Sequence, residues 1–244
     1  MVGMNSFDGK TYWIVGASEG LGRALAQALS NRGARVILSA RNAKRLDEIC
    51  SILPNSKAIR CDVADLDSVR RAASAAGKVD GLIYNAGAYD PMRSTEWNTE
   101  AALRMSDVNF QGALRVLGEI LPGFVKAGQG EITLIGSLSG YHGLPSAVGY
   151  GASKAALISL AETMRHDLAG SGVTVRIVNP GFIKTRLTEK NSFRMPMLMT
   201  PQGAAQHVVR AMSRHRFRTD FPAPFSWLIR LVGYLPDWVI YRGR

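Results

Sequence analysis

"KTYWIVGASEGLGRAL", residues 10–25, sets an apolar, β-branched run directly against a glycine cluster and then a helical pattern. Gly16, Gly20 and Gly22 stand at the spacing G-x-x-x-G-x-G, at a strand-to-helix turn. Glycine permits the tight turn and lets backbone amides approach a phosphate closely. The helix that follows offers unpaired N–H groups and the positive end of its dipole to the same anion. A glycine-rich turn by itself is ordinary turn chemistry; here strand, loop and helix come in the order that a βαβ nucleotide site requires. Ser18 and Leu21 belong to the same expected phosphate-binding turn.

Outward from this loop, short apolar runs alternate with helical patterns. Residues 10–17, 34–41, 57–63, 79–87, 130–137 and 173–181 read as strands, and stretches such as "LGRALAQALSNRG" read as helices closed by glycine. Continuous apolar strands suggest a parallel sheet covered on both faces. The alternation predicts an α/β fold, a Rossmann-type doubly wound parallel β-sheet, as one domain over residues 1–244.

Composition agrees with a single globular domain: 46% of the 244 residues are hydrophobic and 20% charged. The opening "MVGMNSFDGK" has no apolar core of the kind a signal peptide carries, and two cysteines, Cys50 and Cys61, imply no disulfide framework, so a reduced cytoplasmic setting is expected. The net charge of +11 points to an anionic partner such as a lipid surface or phosphorylated small molecule. Basic residues are scattered without aromatic interleaving, so nucleic acid is not expected as a partner. The reading requires no metal.

The second strand ends in Ala40 and Arg41, where a free ribose 2′-OH would favour a carboxylate. A guanidinium suits a 2′-phosphate instead, which favours NADPH and leaves NADH as the alternative. Asp62 can accept from an adenine amino group with Val63 against the ring, while the neighbouring Asp65 reads as a helix cap. In "NAG", Asn85 can tie strands together, with Ala86 and Gly87 allowing backbone to approach a ligand.

Ser137 closes the fifth strand, and Tyr150 and Lys154 lie four apart on the next helix, on one face. Ligands of open α/β sheets bind outside the carboxyl ends of the strands, so all three should face the crevice of the glycine loop. Carbonyl reduction by hydride needs a proton donor at the developing alkoxide, and a phenol is a suitable donor if an ammonium lowers its pKa. A serine hydroxyl can hold the substrate oxygen against that phenol.

With these residues in place the chain resembles the short-chain dehydrogenase/reductases of the single-domain kind, over residues 9 to about 218. The resemblance carries Gly16, Gly20 and Gly22, Asn85–Ala86–Gly87, the catalytic set Asn109, Ser137, Tyr150 and Lys154, and Pro180–Gly181, with Ile183 and Thr185 where the family contacts the nicotinamide. It implies that Lys154 also binds the nicotinamide ribose and that Asn109 takes part in a proton relay through a water held by its helix. It further implies a homodimer or homotetramer. Two departures stand out: Val15 replaces a common threonine, and Glu19 occupies a position that is basic in some NADPH-using relatives, where it could repel a 2′-phosphate.

Residues 186–200 correspond to the family's substrate lid, with Met195, Met197, Leu198 and Met199 expected to give it a soft apolar inner surface. Lys184, Arg186 and Arg194 keep a substrate carboxylate in view. Arg210, Arg214 and Arg218 would form a basic stripe if their helix extends that far. The 219–244 extension is too apolar for a solvated tail and too interrupted to span a bilayer. Docking on the domain or on a sister subunit is the preferred reading, and peripheral contact with a membrane interface is the other. The leading function is NADPH-dependent interconversion of a carbonyl and an alcohol on an uncharged, lipophilic substrate. A 3-oxoacyl thioester reductase and a catalytically silent NADP-binding regulator are the alternatives.

Overall fold

The structure, a computed structural model, describes residues 7–191, 193–214 and 216–240. The start of the amino-terminal stretch, position 192 of the expected lid and the last four residues of the extension therefore lie outside the described residues. In chain order the elements are β1 (Thr11–Val15), α1 (Gly20–Ser30), β2 (Arg35–Ala40), α2 (Ala43–Cys50), β3 (Ser56–Arg60), α3 (Leu66–Ala76) and β4 (Gly81–Tyr84). Then come α4 (Thr99–Ser106), α5 (Gly112–Ala127), β5 (Gly130–Ile135), α6 (Val148–Asp167), β6 (Val173–Pro180), α7 (Pro201–Ser213), β7 (Arg218–Phe221), α8 (Phe225–Val232) and α9 (Asp237–Ile240).

The strands form one seven-stranded sheet in the order β3-β2-β1-β4-β5-β6-β7, every neighbouring pair parallel. The order reverses between β1 and β4, which opens a crevice at their carboxyl ends. Val15 pairs with Ser39 on one side and Tyr84 on the other, so three strands finish level at that edge. Central strands are apolar on both faces because each face is covered. α1, α2 and α7 bury one side around Ile14, Leu25, Leu38 and Val208, and α3, α5 and α6 bury the other around Trp13, Leu82, Val116 and Leu157. The doubly wound parallel fold is as expected.

Helix starts follow local chemistry. Asn42, Asp65, Asn98 and Thr200 accept from backbone amides in the first turns of α2, α3, α4 and α7. α1 differs: Glu19 at its amino end makes no capping bond, and no acidic residue lies in its first turn.

Six of the strands match the sequence reading, and β7 is an addition that changes the basic stripe. α7 ends at Ser213, so Arg210 is helical, Arg214 caps the helix and Arg218 lies in β7. The expected stripe does not form, because residues 218–221 complete the open edge of β6, and Arg218 pairs with Glu162 of α6. β7 also fixes the extension. Asp220 accepts from Tyr141 Oη at 2.7 Å and Asn179 Nδ2 at 2.9 Å, and Arg230 of α8 reaches its other oxygen at 3.3 Å. Among the described residues no helix is long and apolar enough to cross a membrane.

Trp13 is fully buried in the centre of the sheet, its Nε1 donating to Ser39 Oγ at 2.8 Å. Trp13→Ala leaves a large cavity and a buried hydroxyl short of a partner. It is expected to cost about 3–5 kcal/mol of unfolding free energy, read as a lower urea midpoint.

Candidate active site

The carboxyl edge of the sheet gathers the glycine loop, the "NAG" turn and the start of α6. Gly16 has φ +90, and a Cβ there would stand 2.5 Å from Ala86 N, so the first and fourth strand ends meet at a point only glycine fits. Asn85 Nδ2 donates to Gly16 O at 2.8 Å and locks the two turns together. A Cβ on Gly20 would lie 2.8 Å from Thr185 Cγ2, which places the loop after β6 over the glycine turn. Leu21 is buried in the core and Ser18 is partly exposed beside it.

Arg41 stands exposed at the end of β2. Glu19, the residue of concern, is neutralised from two sides, by Arg45 of α2 and by Arg186 at 2.8 Å. Its carboxylate is therefore not a bare charge. Asp62 accepts from Ala64 N at 3.1 Å, while Val63 is buried with its carbonyl bonded to Arg115. Pro180 and Ile183 are buried, and Gly181 and Thr185 partly exposed, along the turn beyond β6.

Asn109 lies in a π-helical turn, Asp107–Gln111, between α4 and α5, and is completely buried. Its Oδ1 accepts from Ala88 N at 2.6 Å, and its Nδ2 donates to Ala88 O at 3.0 Å and Ser153 Oγ at 2.9 Å. Ser153 in turn donates to Tyr150 O at 2.8 Å. One amide side chain thereby clamps the β4 turn to the first turns of α6.

Tyr150 and Lys154 occupy those turns. Lys154 is buried and donates to Ile135 O, the last carbonyl of β5, at 2.8 Å, with its nitrogen 5.7 Å from the centre of the Tyr150 ring. Burial pushes the ammonium pKa down to about 8. Burial likewise pushes the Tyr150 phenol up to about 12; the Ser137 hydroxyl opposes the rise and Tyr89 adds to it. The direction differs from the expected lowering by the ammonium: burial is the largest cause, and the lysine's hydrogen bond is directed to the β5 carbonyl.

Ser137 Oγ accepts from both Ser139 N at 3.2 Å and Ser139 Oγ at 2.8 Å. A hydroxyl has two acceptor sites and one proton, so its proton is left to point elsewhere. Ser137 and Tyr150 wall a cavity of about 120 Å³ whose remaining surface is mostly apolar, including Leu144, Phe182, Leu187 and Phe225. Among the described residues no lysine, arginine, aspartate or glutamate lines it. Lys184, Arg186 and Arg194 are exposed and do not line it. A larger groove of about 440 Å³ lies at the opposite, amino end of the strands, where Lys10 and Glu131 form a salt bridge.

The 186–200 segment departs from expectation. Leu187 and Phe193 face the cavity, whereas Met197 and Leu198 are exposed and Met199 packs on the core. Met199 N and O bond to Phe182 O and Lys184 N at 2.9 and 2.8 Å, which keeps Met199 on the core, while half-buried Met195 accepts from Asn191 Nδ2 at 3.4 Å. Sequence reasoning also missed Tyr89. Its ring meets Tyr150 edge-on at 4.9 Å, and its hydroxyl donates to Asn191 Oδ1 at 2.7 Å, tying the segment to the site. Arg45, Ser153 and Ile229 were missed too, because only the fold brings them near.

A family model described as short chain dehydrogenase matches residues 10–195. An uncharacterised oxidoreductase of Myxococcus xanthus is 33% identical over 93% of each chain. A 3-oxoacyl-[acyl-carrier-protein] reductase of Rickettsia conorii is 33% identical over 77% of this chain and 78% of its own. A solved short chain dehydrogenase of Burkholderia cenocepacia in complex with NADP superposes with a TM-score of 0.85 at 28% identity, covering 96% of each chain.

Below pH 8 the buried Lys154 ammonium costs the fold what the unfolded chain does not lose. As pH rises from about 8 to the ordinary lysine value of 10.5, the folded chain gives up its proton first and that cost is withdrawn. Lys154→Met is therefore expected to be more stable than the native chain at pH 7, by about 1–3 kcal/mol, with the advantage shrinking towards pH 10. Urea unfolding of both chains at pH 7 and at pH 9.5 tests it; an unchanged gap means the lysine is not buried as a charge.

Proposed function

The chain belongs to the short-chain dehydrogenase family, and from that membership we propose that it is an NADPH-dependent oxidoreductase interconverting a carbonyl and an alcohol on an uncharged, lipophilic small molecule. The observation that carries the reading is the cavity: Ser137 and Tyr150 meet in a largely apolar chamber with no charged side chain among the described residues of its wall. An uncharged carbonyl can enter it without stranding a charge.

The chain suits the cofactor. The first turn of α1 has neither a side-chain cap nor an acidic residue, which leaves its amides to a pyrophosphate. Gly16, Ser18, Gly20, Leu21 and Gly22 would hold the phosphates, with Asn85, Ala86 and Gly87 beside them. Asp62 and Val63 would flank the adenine. Pro180, Gly181, Ile183 and Thr185 would border the nicotinamide, and Tyr150 and Lys154 its ribose. Arg41 is assigned to a 2′-phosphate, with Arg45 adding positive charge and cancelling part of Glu19. The NADP bound in the Burkholderia cenocepacia relative favours the same cofactor. When bound, it supplies or takes up the hydride.

The protein's part is proton transfer and placement. A phenol held near pKa 12 is protonated at neutral pH, so Tyr150 can donate to a substrate oxygen as negative charge develops there. Ser137, with both acceptor sites taken, donates its own proton to the same oxygen and holds it in place. Lys154 puts an ammonium behind the ring, where it stabilises the phenolate that proton donation leaves. Asn109 acts through Ser153 to fix the turn that carries Tyr150.

A second reading, reduction of a 3-oxoacyl thioester, is favoured by the Rickettsia conorii relative, whose own name states that activity. A panel of lipophilic ketones, aldehydes and 3-oxoacyl thioesters, followed by NADPH absorbance, separates the two.

Tyr150→Phe should lower kcat by about a thousandfold while NADPH still binds. Retained turnover would remove Tyr150 from the chemistry. Arg41→Ala combined with Arg45→Ala should raise the KM for NADPH by about 10–100-fold and leave that for NADH nearly unchanged. An equal effect on both cofactors would overturn the 2′-phosphate assignment.

A further inference from the structure

The eight-residue helix α8 has two apolar faces with different surroundings. Its inner face belongs to the cavity: Phe225 and Ile229 line it, and Ser226 between them is fully buried. Phe225 stacks on Phe182 at 5.9 Å, and Phe182 meets Phe193 edge-on at 5.7 Å. Arg230 anchors the helix from the side by reaching Asp220 and the face of the Tyr141 ring.

The outer face and the segment that follows it are largely exposed. Trp227 is 64% exposed, Leu228 59% and Leu231 58%, and the chain continues with Tyr234 at 81%, Leu235 at 46% and Trp238 at 65%. Scattered exposed apolar residues need no explanation, but this many within a dozen positions form a patch. Phe193, itself half exposed, extends the apolar rim from the other side of Phe182. The patch therefore runs on from the wall of the cavity.

The chemistry of the patch selects its partner. Tryptophan and tyrosine interleave with leucine, the composition that settles at the boundary between headgroups and acyl chains. Between residues 222 and 240 there is one carboxylate, Asp237, and the chain carries a net charge of +11. Arg230 balances that carboxylate, so the excess positive charge lies on the rest of the chain, which is drawn to anionic headgroups and holds the patch against them. We propose that the outer face of α8 and the segment that follows dock on an anionic membrane, setting the cavity wall against the bilayer so that lipophilic substrate reaches Tyr150 from the lipid phase. The docking stands on the patch and the charge alone; the access route rests on the proposed function.

The test uses the full chain and vesicles of phosphatidylcholine, with or without about 30 mol% phosphatidylglycerol. Flotation should recover the protein with the anionic vesicles and about tenfold less with phosphatidylcholine alone. The triple variant Trp227→Ser, Leu231→Ser, Trp238→Ser should lose about tenfold in anionic-vesicle binding with NADPH binding unchanged. Tyr234→Ser with Trp238→Ser, which leaves α8 intact, should show a smaller loss and guards against misfolding of the triple variant. A native chain that stays in solution overturns the docking, as does vesicle binding that survives in both variants. Sedimentation velocity adds the rival outcome: a native oligomer that ignores vesicles and dissociates in the triple variant would make the patch a subunit interface. If the docking holds and the substrate panel gives no turnover, only the access route fails.

Discussion

A buried ammonium bonded to the last carbonyl of β5 governs the geometry around it. Lys154 Nζ fixes how far α6 can slide along the sheet, because a shift of one turn would leave a charge in the core without an acceptor. With that register set, Tyr150 comes opposite Ser137, and Asn109 finds Ser153 within reach. The fold pays for the arrangement in desolvation, visible in the depressed lysine pKa and the raised phenol pKa. A core chosen for stability alone would put a methionine or leucine there. Perturbed ionisable groups at this depth cluster at functional sites, which fits the role proposed for Lys154.

Much of this was legible in the chain because it depends on periodicity and local turn chemistry. The glycine spacing of 16, 20 and 22 and the apolar runs of β1, β2, β4, β5 and β6 are properties of a few consecutive residues. β7 was not, since "RTDF" is short, polar and half exposed, and becomes a strand only because the edge of β6 needs a partner. Met197 and Met199 departed from expectation for a related reason. Composition says a segment is apolar, but backbone pairing at Met199 decides which side chains turn inward. Tyr89 and Arg45 are contacts across 61 and 26 positions of sequence, with Tyr150 and Glu19 respectively, and no local pattern announces them.

Glu19 shows how charge in a sequence misleads when read singly. Alone it argues against a phosphorylated ligand, but Arg45 and Arg186 both reach it, so the local sum is positive. These pairs are partly exposed and each contributes little to stability. Their effect on the potential felt by an incoming anion is larger, because a satisfied carboxylate no longer repels at short range.

α8 gives this architecture an evolutionary freedom. Positions 225 and 229 point one way and 227, 228 and 231 the other, separated by the helical repeat and held by the Arg230–Asp220 anchor. Changes in chamber shape can therefore accumulate without disturbing the outward surface, and the reverse. A lineage can reshape the chamber while keeping the outward surface, or alter that surface while keeping the chamber, by mutating alternate sides of two helical turns.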